Sequence, residues 1–143
     1  MVPKSKEEQP YVIDSNSLRN RIDSTQPGEY LILEQDPNGK QPHELGSKLD
    51  AGKPSVYRGL LDYFPRACLA VAEVSTVGAK KYAWKGWESV PDGINRYADA
   101  GARHIVKESI EGPWDSDTKL LHKAQKAWNA LAELELYLRA LVQ

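Results

Sequence analysis

The chain has 143 residues, enough for one domain with its own core, since chains of this size bury roughly two thirds of the surface they expose when unfolded. Its 19 Lys and Arg against 20 Asp and Glu leave a formal charge of -1, so no global field draws in nucleic acid and any anion site must be local. The single cysteine, Cys68, excludes an internal disulfide and reads as a small core residue, while no apolar run approaches the roughly 20 residues of a membrane span and no signal-like stretch follows Met1; the expectation is a cytoplasmic protein.

Residues 1–10 are polar and charged, with Pro3 and Pro10, and read as a tail. After the turn signal Gln26-Pro27-Gly28, Tyr30-Leu31-Ile32-Leu33 reads as a short strand. The turn residues of Asp36-Pro37-Asn38-Gly39-Lys40-Gln41-Pro42 and of Gly46 to Pro54 predict loop.

From there a 3.6-residue period takes over. Ala67, Ala70, Val71, Val74 and Val77 line one side of a helix predicted over about residues 65–82, with Pro65 suited to its first turn and Gly78 to a stop or kink. Pro91-Asp92 opens a second helix, in which Ile94, Tyr97, Ala98, Gly101 and Ile105 share a side, and Gly112-Pro113 ends it near Ile110. Asp115 or Ser116 is expected to cap a third, with Leu121, Ala124, Trp128, Leu131, Glu135 and Leu138 on its apolar stripe. The fold class is therefore mainly α: a helical bundle from about residue 56 to 142 behind a loop-rich segment with at most a short strand or hairpin.

Polar groups line other faces of these helices. Arg96, Asp99, Arg103 and Lys107 share one face of the second helix, with His104 at its apolar border, and His122, Gln125, Asn129 and Glu133 form a stripe on the third. Antiparallel packing brings such stripes together, and Glu73 sits near apolar positions of the first helix. Spacing alone leaves these readable as solvated ion pairs, structural histidines and helix caps, and the tryptophans as core. The Walker-type loop, HExxH, paired CxxC and serine elbow are all absent.

The specific residues carry more. Lys48-Leu49-Asp50-Ala51-Gly52-Lys53-Pro54, Phe64-Pro65-Arg66-Ala67, Val71-Ala72-Glu73-Val74, Gly78-Ala79-Lys80-Lys81-Tyr82, Gly86-Trp87, Val90-Pro91-Asp92-Gly93-Ile94, Arg96-Tyr97-Ala98-Asp99-Ala100, Arg103-His104, Asp115-Ser116-Asp117, His122 and the block from Ala127 to Leu136 follow in order. Together they resemble the signature of the phage dATP/dGTP diphosphohydrolase (N-terminal type) family, over about residues 43–140. The resemblance implies a helical domain over residues 43–143 behind an N-terminal extension of residues 1–42. It also implies MazG-like, Mg²⁺-dependent cleavage of a purine deoxynucleoside triphosphate to monophosphate and pyrophosphate, in a host cytoplasm if phage-encoded. On the recurring positions, residue chemistry assigns metal binding to Glu73, His104, Asp115, Asp117 and His122, and catalysis to Glu73, His104 and His122. Phosphate contacts fall to Lys53, Lys80, Arg96 and Arg103, and nucleotide contacts to Tyr82, Trp87 and Asn129. The partner the resemblance implies is a purine nucleotide; the apolar surface that three amphipathic helices with Trp84, Trp87, Trp114 and Trp128 leave uncovered predicts a homo-oligomer, and composition predicts neither membrane nor direct nucleic-acid binding.

The chain departs from the family pattern where Gly-Glu becomes Glu111-Gly112, where Ser-Gly becomes Thr118-Lys119, and where a second histidine becomes Gln125. Loss of a ligand weakens a metal site, so a non-catalytic nucleotide or cyclic-nucleotide sponge stands as the alternative, with a structural helical oligomer behind it.

Overall fold

A computed structural model describes residues 35–51 and 53–142; it is mainly helical, with no strand among those residues. The strand expected at Tyr30–Leu33 lies outside the described residues. Chain contacts divide the protein into two units, residues 1–51 and residues 52–141.

In the first unit the loop predicted from its turn residues is organised by Asp36. The Asp36 carboxylate accepts the backbone N–H groups of Asn38 and Lys48, both at 2.7 Å. These bonds, with that from Lys48 foremost, hold it below the usual carboxylate range. Gly39 and Gly46 supply the positive φ that the turns need, and His43 adopts it as well.

The second unit holds the helices. A π-helical turn, Tyr57–Asp62, precedes α1, Pro65–Lys81. Pro65 sits where its missing N–H costs nothing, and Lys80 and Lys81 lie at the negative end of the helix dipole. Gly78 does not stop α1, which runs one further turn. A 3₁₀ turn, Gly86–Ser89, leads to α2, Gly93–Glu111, and α3 runs over His122–Val142.

The start of α3 corrects the sequence expectation, because neither Asp115 nor Ser116 caps it. Residues 114–121 instead double back on themselves, with Trp114 and Leu121 forming an antiparallel bridge. Within this turn Lys119 donates its N–H to the Asp115 carbonyl at 2.9 Å and takes φ 62°. The Asp115 side chain accepts the N–H of Asp117 at 3.0 Å, so it closes a tight turn rather than a helix.

Helices α2 and α3 pack antiparallel. Gly93 lies against Leu136, Gly101 against Asn129, and His104 against His122, so partners advance along one helix as they recede along the other. The glycines permit the close approach, but not equally. A Cβ on Gly93 would meet the Leu136 Cδ1 at 2.6 Å, whereas one on Gly101 would meet Asn129 at an ordinary 3.6 Å. Gly101→Ala is therefore expected to stabilise the protein by up to about 1 kcal/mol through helix propensity. Gly93→Ala must push Leu136 aside and is expected to cost about 1 kcal/mol net. Chemical denaturation of both variants reads the opposite signs.

Trp87, Tyr97 and Trp128 meet edge to face, with centroids 5.6–6.3 Å apart, and the Trp128 indole donates to the Ser75 Oγ of α1 at 2.7 Å. This cluster ties α1, the 3₁₀ turn, α2 and α3 together. Arg139 lies over the Trp87 ring at 5.5 Å while pairing with Glu88 and Glu135. Cys68 is free and half-buried.

Candidate functional site

The interior of the helical unit is polar. Its buried apolar side chains, among the described residues, are Leu120, Ala124 and Ala132; beside them lie Asp115, His122, Gln125 and Asn129. His122, at 0 % exposure, is the most deeply buried. Burying such groups is costly unless each finds a partner, and no buried side-chain nitrogen or oxygen among the described residues lacks one.

The network runs across α2, the turn and α3. His104 Nδ1 and His122 Nδ1 are 3.0 Å apart, and His122 Nε2 lies 3.0 Å from Glu111 Oε1. Lys107 donates to Asp115 Oδ1 at 2.9 Å and lies 3.3 Å from Glu111 Oε1, so one ammonium spans two carboxylates. Gln125 Nε2 donates to Asp115 Oδ2 at 3.0 Å, and Asn129 returns its amide to the Gln125 carbonyl at 2.8 Å.

These contacts set the charge states. Burial pushes Asp115 upward, yet Lys107, the Asp117 N–H and Gln125 together hold it far below the ordinary carboxylate value. The Ser116 hydroxyl, then Lys107 and His122, hold Glu111 low against the opposing push of burial. Lys107 is raised, chiefly by its bond to Asp115. His104 is lowered from 6.5, first by burial, with Asp115 opposing and His122, Lys107 and Arg103 reinforcing.

All three lowered groups act in the same direction on stability. A group whose pKa falls on folding contributes stability that is complete above its unfolded value and lost as pH drops through its folded value. Thermal stability is thus expected to be level from pH 6.5 up to the alkaline range in which Lys107 titrates, to decline below 6.5 as His104 takes up its proton, and to fall again below 4.5 and 3.8 as Glu111 and Asp115 follow. Melting curves across this range check it, and His104→Gln should remove the first decline while leaving the second.

His104, Asp115 and His122 each offer one ligand atom within 4.8 Å of the others, which would allow them to share a cation. The donor set does not fit Mg²⁺ as a resident ion, because Mg²⁺ takes oxygen ligands in an octahedron and two of the three donors are imidazole nitrogens.

The remaining sequence candidates lie elsewhere. Glu73 is exposed on α1 and makes no hydrogen bond or ion pair with the cluster. Asp117 contributes its backbone N–H while its side chain stays outside. Lys53 and Lys80 are exposed, Arg96 reaches only the Pro91 carbonyl at 3.4 Å, and Tyr82 is exposed under Lys81. Trp87 belongs to the aromatic cluster and Asn129 to the buried network. Arg103 lies in an open groove of about 470 Å³ along α2, lined by Asp99, Ala102, Arg103, Val106 and Lys107. Lys107 is common to the groove and the buried network. Sequence reasoning assigned no role to Glu111, although the swap to Glu111-Gly112 still leaves a carboxylate on His122.

Fold and site define a mainly helical domain built round a buried histidine–carboxylate cluster. The chain belongs to the family described as dATP/dGTP diphosphohydrolase, N-terminal, which matches residues 43–142. Comparisons with curated proteins and with solved structures return no match. No helix among the described residues is long and apolar enough to cross a membrane.

Proposed function

We propose that the protein hydrolyses a purine deoxynucleoside triphosphate, entering as its Mg²⁺ complex, to the monophosphate and pyrophosphate. The observation that carries this reading is Lys107, which joins the groove to the buried carboxylates. Family membership supplies the nucleotide class.

In the groove, Arg103 offers a planar donor to phosphate oxygens and Lys107 a mobile ammonium, its side chain 40 % exposed. When Lys107 turns to a phosphate, Glu111 loses a cationic partner and becomes more basic. Glu111, 23 % exposed at its side chain, then takes the proton of a water whose oxygen attacks the α-phosphorus. The α–β bridging oxygen leaves with pyrophosphate, its charge met by Arg103 and Lys107. His122 is sealed from solvent and acts as a positioning residue, holding the Glu111 carboxylate through Nε2.

Incubation with Mg²⁺ and a panel of purine and pyrimidine deoxynucleoside triphosphates tests the reading: monophosphate and pyrophosphate are expected from purine substrates. Diphosphate with inorganic phosphate, or no product, contradicts it. A second reading, a nucleotide sponge without turnover, is favoured by one observation: among the described residues every buried side-chain nitrogen and oxygen already has a protein partner. Tight binding with no product would select it. Half-exposed Leu131, Leu134 and Tyr137 on α3 support a homo-oligomer, whose mass light scattering on the same sample reads.

A further inference from the structure

We infer that His104, His122 and Asp115 form a site for a borderline divalent transition-metal ion of the zinc class, distinct in chemistry from the Mg²⁺ that accompanies a nucleotide. Its part in hydrolysis rests on the reading above; its existence does not.

His122 Nε2 lies 3.0 Å from Glu111 Oε1, and a carboxylate accepts there, so this contact places the ring proton on Nε2. With that proton on Nε2, Nδ1 is the nitrogen left to bind a cation; it faces His104 Nδ1 at 3.0 Å, and a cation entering there replaces the proton the two nitrogens share. A carboxylate on the far nitrogen of a buried histidine is the arrangement that orients metal-ligating imidazoles and raises their basicity.

The spacing agrees. Two metal–nitrogen bonds of about 2.0–2.1 Å at a tetrahedral angle place their nitrogens about 3.3 Å apart, a few tenths of an ångström beyond the present contact. Asp115 supplies a carboxylate oxygen within 4.8 Å of a ring nitrogen of each histidine. Its bond to Lys107 has to yield, and the half-exposed lysine can turn into the groove to allow it. Two imidazoles with one carboxylate suit zinc or cobalt(II), whereas Mg²⁺ gains little from nitrogen donors.

The test uses the full chain, stripped with a chelator and titrated with Co²⁺ without nucleotide. One Co²⁺ per chain is expected, with the visible absorption of a low-coordinate site, abolished by an equivalent of Zn²⁺ and unmoved by a large excess of Mg²⁺. His104→Ala should lose the absorption, and Glu111→Gln, which touches no proposed ligand atom but weakens the support of His122 along with the pair to Lys107, should weaken binding about tenfold or more. Circular dichroism establishes that each variant is folded. Wild-type protein that binds no Co²⁺, releases it to Mg²⁺, or keeps its spectrum in a folded His104→Ala variant overturns the inference. Because no nucleotide is present, a positive result with no triphosphate turnover sinks the hydrolase reading alone.

Discussion

Replacing Asp115 by Ala is expected to destabilise the protein by about 3 kcal/mol and to remove triphosphate turnover. The carboxylate accepts from Lys107, from Gln125 and from the Asp117 backbone, so its loss strands the buried Gln125 amide and the N–H that closes the 114–121 turn. Lys107 can turn to water, being 40 % exposed, which keeps the cost below that of orphaning a fully buried charge. Denaturant titration reads the stability and product analysis the turnover. A loss under about 1 kcal/mol would mean that the turn is held by its backbone bonds alone. Asp115→Asn retains the shape and part of the bonding and should fall between wild type and Ala.

Trp128→Ala carries the second large effect, on stability. The indole meets both Trp87 and Tyr97 and donates to Ser75, the link from α3 to α1. Removing a packed indole costs about 3–5 kcal/mol, and the half-buried setting of Trp128 places the expectation at the lower end. Trp128→Phe keeps two ring contacts and loses the Ser75 bond, so it should cost about 1–2 kcal/mol. Equal losses for the two variants would assign the effect to the hydrogen bond rather than to the cluster.

The helices were legible because apolar residues recur at 3.6-residue spacing and because Pro65, Asp92 and Gly112 mark boundaries by known backbone preferences. The start of α3 was not legible. The turn over residues 114–121 depends on a bridge between Trp114 and Leu121 and on a positive φ at Lys119, a lysine that advertises no turn. Asp115 followed by a helical pattern looks like a cap, and only the chain's return on itself makes it the hub of a buried network.

Part of the site was readable from chemistry and spacing. His104 and His122 were singled out, and antiparallel packing of α2 on α3 brings them together. Which side of α3 faces inward was not readable, since the apolar residues there are spread round the helix. Leu131 and Leu134 remain half exposed while His122, Gln125 and Asn129 are buried. A period analysis assumes that the inner stripe is apolar, and here it is polar because the network occupies it. Glu111 escaped notice for a related reason: it looked like a displaced family residue, and only the C-terminal geometry of α2 shows its carboxylate on His122. Glu73, which the family resemblance and its carboxylate point to, is exposed on α1.

The most direct test of the account is the turnover of Glu111→Gln against Glu108→Gln under saturating Mg²⁺ and purine deoxynucleoside triphosphate. Glu108 lies three residues earlier on α2 and pairs with exposed Lys123, outside the network. Glu111→Gln is expected to lose about 100-fold or more, the contribution of a positioned proton acceptor, while Glu108→Gln matches wild type. A folded Glu111→Gln variant that turns over within twofold of wild type would contradict it.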